Sequence, residues 1–229
     1  MLSPYYEDGK SGITIYCADC RDVLSQLVRG DLVLTDPPYG HGDKWAGGTW
    51  ATNPIYKAAF QWDAQTADTD TMNLVLRAAP NVIIWGGNYY ALPPSRCWLA
   101  WEKTNGMATM ADFELAWTNF DRPAKLFRAA SNPDGVREHP TQKPLSLMRW
   151  CLSFVPNAHV VIDPFCGSGT TLRAAKDAGM KAIGIEIDER YAEIAARRLE
   201  QEVIPFHDYG CRYGDQDQQQ RQAGLFDAD

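Results

Sequence analysis

Long apolar runs are missing from this chain. None approaches the roughly 18 residues that a membrane-spanning helix needs. The opening, Met1 to Lys10, lacks the basic-then-apolar order of a secretory leader. Cysteine is sparse: six in 229 residues cannot build a disulfide scaffold, so a reducing cytoplasm is the expected compartment. Cys17 and Cys20 form a C-x-x-C pair, but no second cysteine or histidine pair stands at zinc spacing. No metal is expected. Positive charge is also short, with a formal net charge of −7, which speaks against a protein coated in basic surface.

What is present is ordinary globular material, 45% hydrophobic and 22% charged, long enough to bury a sizeable core. The charge is unevenly spread. Residues 200–229 hold seven acids against Arg212 and Arg221, a net of −5, which leaves −2 for residues 1–199. Between 122 and 149 the sign reverses, with six basic residues (among them Arg122, Arg137 and Lys143) against Asp134 and Glu138, a net of +4. Such a segment suits contact with phosphates, or is a solvated face with ordinary ion pairs. The organisation read from this is one domain over 1–204 and a polar tail over 205–229, rich in Gln and Asp and expected to be disordered.

The chain is organised around Asp36-Pro37-Pro38-Tyr39, which follows the apolar run Leu32-Val33-Leu34-Thr35. That run reads as a strand buried on both faces, and two prolines end it because neither can donate to a sheet ladder. An acid and an aromatic ring are thereby fixed past the C-terminal edge of a parallel strand, where open α/β sheets bind ligands. The Asp36 carboxylate and the Pro37 carbonyl can each accept one hydrogen of an exocyclic amino group while Tyr39 stacks on its ring. A plain turn is the competing reading.

The last third is more regular. Strands at 160–163 and 181–187 alternate with helices at 170–178 and 188–203, and Phe165 to Gly169 forms a glycine turn between the first strand and helix. The glycines let backbone approach a ligand, and Glu186, 23 residues after Asp163, stands where an acid takes ribose hydroxyls. A nicotinamide site would want glycine where Leu172 stands. An acid followed by Phe-x-Gly-x-Gly suits S-adenosylmethionine, which has no pyrophosphate to cradle; a purely structural turn also remains open.

Elsewhere, strands are expected at 11–18 and 82–85, helices at 20–28, 71–79 and from Pro144 to Val155, and antiparallel strands at 97–103, 113–120 and 124–130. Segments 41–70 and 104–138 carry Trp, Lys, Arg and Asn without a helix-turn-helix or finger pattern.

Four motifs in order, Thr35-Asp36-Pro37-Pro38-Tyr39-Gly40, His139-Pro140-Thr141-Gln142-Lys143-Pro144, Asp163-Pro164-Phe165-Cys166-Gly167-Ser168-Gly169-Thr170-Thr171 and Gly184-Ile185-Glu186-Ile187-Asp188, together resemble the β-group amino-methylating DNA methyltransferases. The resemblance spans about residues 12–203, and the segment Trp98 to Phe127 is similar to phage and prophage DNA methylases. It implies a circularly permuted, Rossmann-like α/β fold: a seven-stranded, mostly parallel sheet with an antiparallel edge strand and helices on both faces. The strands at 160–187 would be first and second, those at 13–18 and 32–35 third and fourth.

It further implies that Asp36, Pro37, Pro38 and Tyr39 hold a base flipped out of double-stranded DNA. Asp163, Phe165, Cys166, Gly167, Ser168, Gly169, Thr170 and Ile187 would line the S-adenosylmethionine site together with Asp36, Cys166 by packing. Glu186 would hold the ribose, Asp19 the cofactor's adenine amino group, and Thr141 and Lys143 its methionine end. Cytosine C5 chemistry would need a cysteine nucleophile, usually in Pro-Cys, and the sequence has no Pro-Cys. Asp before Pro-Pro-Tyr leans toward adenine N6, with cytosine N4 as the alternative; RNA or protein amino methylases place their motifs in the opposite order. Segments 41–70 and 104–138 are left to read flanking bases, and Gln222 to Phe226 looks like a sliding-clamp docking peptide.

Overall fold

The computed structural model describes residues 3–42, 63–105, 111–131 and 142–201. Thr141, residues 43–62 of the first candidate recognition segment, residues 106–110 and 132–138 of the second, and the tail with its clamp-like peptide lie outside the described residues. One sheet carries nine strands, in chain order β1 (Tyr6–Asp8), β2 (Ile13–Cys17), β3 (Leu32–Thr35), β4 (Asn81–Trp85), β5 (Trp98–Lys103), β6 (Phe113–Thr118), β7 (Lys125–Ala129), β8 (Val160–Asp163) and β9 (Lys181–Glu186). Their spatial order is β1-β2-β9-β8-β3-β4-β6-β5-β7. Helices α1 (Cys20–Leu24), α2 (Thr69–Arg77), α3 (Leu145–Leu152), α4 (Thr170–Asp177) and α5 (Glu189–Glu200) pack against it.

The inner strands β2, β9, β8, β3 and β4 run parallel, and their sequences show why. All four residues of β3 are buried, with Leu32 and Leu34 in one core cluster and Val33 in another. The period of two thus sends alternate side chains of one strand to opposite faces, each covered by helices. Leu147, Met148 and Cys151 of α3 and Leu172 of α4 cover one face; Met72 and Val75 of α2 cover the other. Each fully buried Leu or Ile contributes about 1.5–3 kcal/mol.

Several expectations are corrected. Among the described residues the sheet has nine strands where seven are expected. The three-residue β1 carries no sequence signal of its own and borrows its order from β2, on which it lies antiparallel. Antiparallel pairing is also not confined to an edge, because β6 runs antiparallel between β4 and β5. With both of its edges occupied, β6 cannot form a hairpin with the next strand, so β7 joins β5 in parallel. Helix α1 stops at Leu24, four residues short of the expected end.

The permuted order is present. The register joins Leu32 to Val161 and Val33 to Ile162, so the strand that delivers Asp36 lies beside the strand that delivers Asp163. Among the described residues no helix is long and apolar enough to cross a membrane.

Candidate active site

The C-terminal ends of β3, β8, β9 and β2 open onto one cavity of about 360 Å3. Its wall includes Asp19, Asp36, Pro38, Lys143, Asp163, Phe165, Cys166, Gly167, Ser168, Thr170, Glu186 and Ile187. Pro37, Tyr39 and Gly169 are not part of that wall. Two loops more than a hundred residues apart are thus brought together. Thr35 joins them directly, its hydroxyl donating to Asp163 Oδ1 at 2.7 Å.

The glycine turn is shaped for close approach. Gly169, at φ +79°, precedes α4, and a Cβ there would lie 2.8 Å from the Ala195 Cβ of α5. Glycine is therefore required twice over, by conformation and by helix packing. Glu186, at the end of β9, accepts from the Gly167 amide and the Asp188 amide, each at 2.9 Å. Burial pushes its carboxyl up to about 7, although both amides pull it down. Asp163 is 3% exposed and burial raises it to about 6, against the pull of Thr35 and Phe165. Asp19 caps α1, taking the Arg21 amide at 2.9 Å and its guanidinium at 2.5 Å, and the Arg21 contacts hold it below the usual carboxylate range.

Past β3 the Asp-Pro-Pro-Tyr turn meets a charged network. Asp36 Oδ1 accepts from the Tyr39 hydroxyl and Oδ2 from Lys143 Nζ, both at 2.5 Å. Lys143 Nζ also lies 3.1 Å from Glu114 Oε2, and Lys103 Nζ lies 2.6 Å from Glu114 Oε1. Burial pushes the Asp36 carboxyl up, Lys143 pulls it down and Glu114 pushes it up again, with the net shift upward. Glu114 is raised by burial but held down at about 2 by Lys143 and Lys103. Lys143, which burial alone would lower, is raised by Asp36 and Glu114 and keeps its charge.

Two placements depart from the sequence reading. Lys143, expected at the methionine end of the cofactor, turns its ammonium onto Asp36 and Glu114, because these partly buried carboxylates give a buried cation its partners. Tyr39, expected to stack on a base, stacks on Tyr89 with ring centroids 4.8 Å apart and planes 27° apart. Gly86, at φ +66°, lets that ring lie flat against the backbone: a Cβ there would fall 1.9 Å from Tyr39 Cε1.

Three residues that support the site escaped the sequence reading. Glu114 looks like any outward residue of an alternating strand. Arg198, on α5, donates to Thr170 Oγ1 at 2.8 Å and Gln142 Oε1 at 3.0 Å, tying the glycine turn to the segment before α3. Asp63, 3% exposed, accepts from the amides of Tyr39, Gly40 and His41 at 2.7, 3.0 and 3.2 Å. Its only sequence signal is an acid following Trp62 in a stretch without regular periodicity.

Comparison with known proteins adds a family to this geometry. A family model described as DNA methylase, covering N6 and N4 amino methylation, matches residues 93–197. The putative methylase YubD of Escherichia coli (strain K12) is 31% identical over 210 residues, covering 79% of this chain and 87% of that protein. The type II methyltransferase M.HpaI of Haemophilus parainfluenzae is 27% identical over 241 residues, covering 84% of this chain and 76% of that protein. Among solved structures, the M1.HpyAVI complex with SAM shares the fold, with a TM-score of 0.56 at 24% identity over 82% of this chain and all of that one.

Proposed function

Because this chain belongs to the N6/N4 DNA methylase family, we propose that it transfers a methyl group from S-adenosylmethionine to the exocyclic amino nitrogen of a base flipped out of DNA, and that the base is adenine. The observation that carries this reading is the single cavity lined both by Asp36 and by the glycine turn with Glu186. The residues fit the donor. Glu186 offers a carboxylate to a ribose diol, Asp19 offers one to an amino group, and the turn from Phe165 to Thr170 brings backbone to the cavity wall. S-adenosylmethionine, when bound there, supplies an electrophilic methyl on a sulfonium.

The chain's own residues then act on the amino group. A nitrogen conjugated with its ring is a weak nucleophile. Accepting its two hydrogens on Asp36 and on the Pro37 carbonyl localises the lone pair, and holding it in line with the methyl lowers the barrier further. The proton shed after transfer passes first to Asp36, whose carboxyl burial holds above its ordinary value. Flipping costs a few kcal/mol, which the hydrogen bonds of the amino group to Asp36 and the Pro37 carbonyl offset in part. The flanking bases would be read by segments 41–70 and 104–138.

Adenine is favoured by the acid at the head of the Pro-Pro-Tyr turn; cytosine N4 presents the same amino geometry and is the alternative. Incubating unmethylated DNA with labelled S-adenosylmethionine and digesting to nucleosides tests the reading. Label is expected in N6-methyladenine. Label in N4-methylcytosine overturns the choice of base, and label only in RNA or protein overturns the substrate.

A further inference from the structure

Each oxygen of the Asp36 carboxylate already accepts from a donor of the chain itself, and an arriving amino group must share an oxygen with that donor or displace it. We propose that Lys143 is a stand-in for the amino group of the target base, and that Glu114 is the positioning residue that receives Lys143 when the base enters. The proposal rests on the amino-methyltransferase reading. The Lys143 ammonium presents an N–H to Asp36 Oδ2 at 2.5 Å, the same interaction an exocyclic amino group would make. Lys143 lies in the cavity wall, whereas Glu114 does not, so the lysine meets the base and the glutamate acts through the lysine.

Three features make the exchange practicable. The Lys143 side chain is only 5% exposed, so it cannot simply retreat into solvent. Glu114 Oε2 is already 3.1 Å away, so a shift off Asp36 keeps the cation paired. Lys103 grips the other Glu114 oxygen at 2.6 Å and, with Lys143, keeps that carboxylate ionised and in place. Asp36, Lys143, Glu114 and Lys103 alternate in sign and sum to zero, so the cluster stays neutral as a whole when Lys143 shifts toward Glu114. Without Glu114 the lysine would have Asp36 as its one close carboxylate among the described residues and would compete with the base for it.

Two variants test this on the full chain, with genomic DNA as substrate so that no recognition sequence need be known. Glu114→Gln should lower kcat/KM for DNA by about tenfold or more, the worth of one hydrogen bond to a charged group. Its affinity for S-adenosylmethionine by calorimetry should stay within about twofold of wild type, and Glu114→Asp should recover part of the DNA rate. An unchanged kcat/KM, or equal losses in DNA rate and cofactor affinity, would overturn the proposal. Should Glu114→Gln not fold, Lys143→Met decides. Cofactor affinity within about twofold of wild type supports the proposal, and a loss of about tenfold or more assigns Lys143 to the cofactor instead. The calorimetric arm does not depend on DNA methylation, so a wild-type protein that fails to methylate DNA sinks the functional reading by a separate result.

Discussion

Asp63→Ala removes one carboxylate and strands three main-chain amides of the catalytic turn. Those of Tyr39, Gly40 and His41 now bond to it at 2.7, 3.0 and 3.2 Å. A hydrogen bond to a charged group is worth about 1.5–3 kcal/mol, so losing all three at full value would remove most of a domain's stability. The true loss is smaller, because Gly40 is exposed and water can satisfy its amide. We expect about 2–4 kcal/mol, more than one such bond and less than three. At roughly 2–4 °C per kcal/mol for a chain of this size, the thermal midpoint should fall visibly. Urea unfolding should show a lower midpoint at unchanged slope. Turnover should fall further than the folded fraction accounts for, since Tyr39 and Asp36 share the released turn. Asp63→Asn, which keeps one acceptor oxygen, should lie between. A stability change under about 1 kcal/mol with wild-type turnover would refute the clamp.

Asp36→Ala should cost about 100-fold or more in turnover, as lost transition-state acceptors do, while equilibrium dialysis still shows cofactor binding. Gly86→Ala should impair turnover with little loss of cofactor affinity, because its Cβ would overlap Tyr39 Cε1 at 1.9 Å and its φ of +66° disfavours side chains; wild-type rates would refute the contact. Glu186, raised by burial from 4.5 to about 7, binds a proton in the folded state that the unfolded chain has released between those values. This group therefore removes stability as pH rises through that window. Hydroxyl donors favour its ionised form, so S-adenosylmethionine affinity should tighten as pH rises through about 7. Calorimetry across pH should show the trend in the wild type and not in Glu186→Gln.

The strands of the inner sheet were readable because burial on both faces leaves an unbroken apolar run, as in Leu32 to Leu34 and Val160 to Ile162. The glycine turn and the proline turn were readable because their backbone geometry demands those residue types. The charged network was not, because its members sit on β5, β6, the β3 turn and the segment before α3, and no local pattern records that four such places converge. Glu114 in β6 carries the same letter as any solvated strand residue. Asp63 shows the same limit: three amides name it only once the chain has folded back 23 positions.

The pairing of Leu32 and Val33 with Val161 and Ile162 has a consequence for synthesis. The acceptor turn leaves the ribosome about 130 residues before the strand it must lie against. Contacts so remote in the chain form slowly. A nascent polypeptide that ends before Glu186 therefore carries Asp36 without the donor half of its site, and methyl transfer must wait until translation has passed that point.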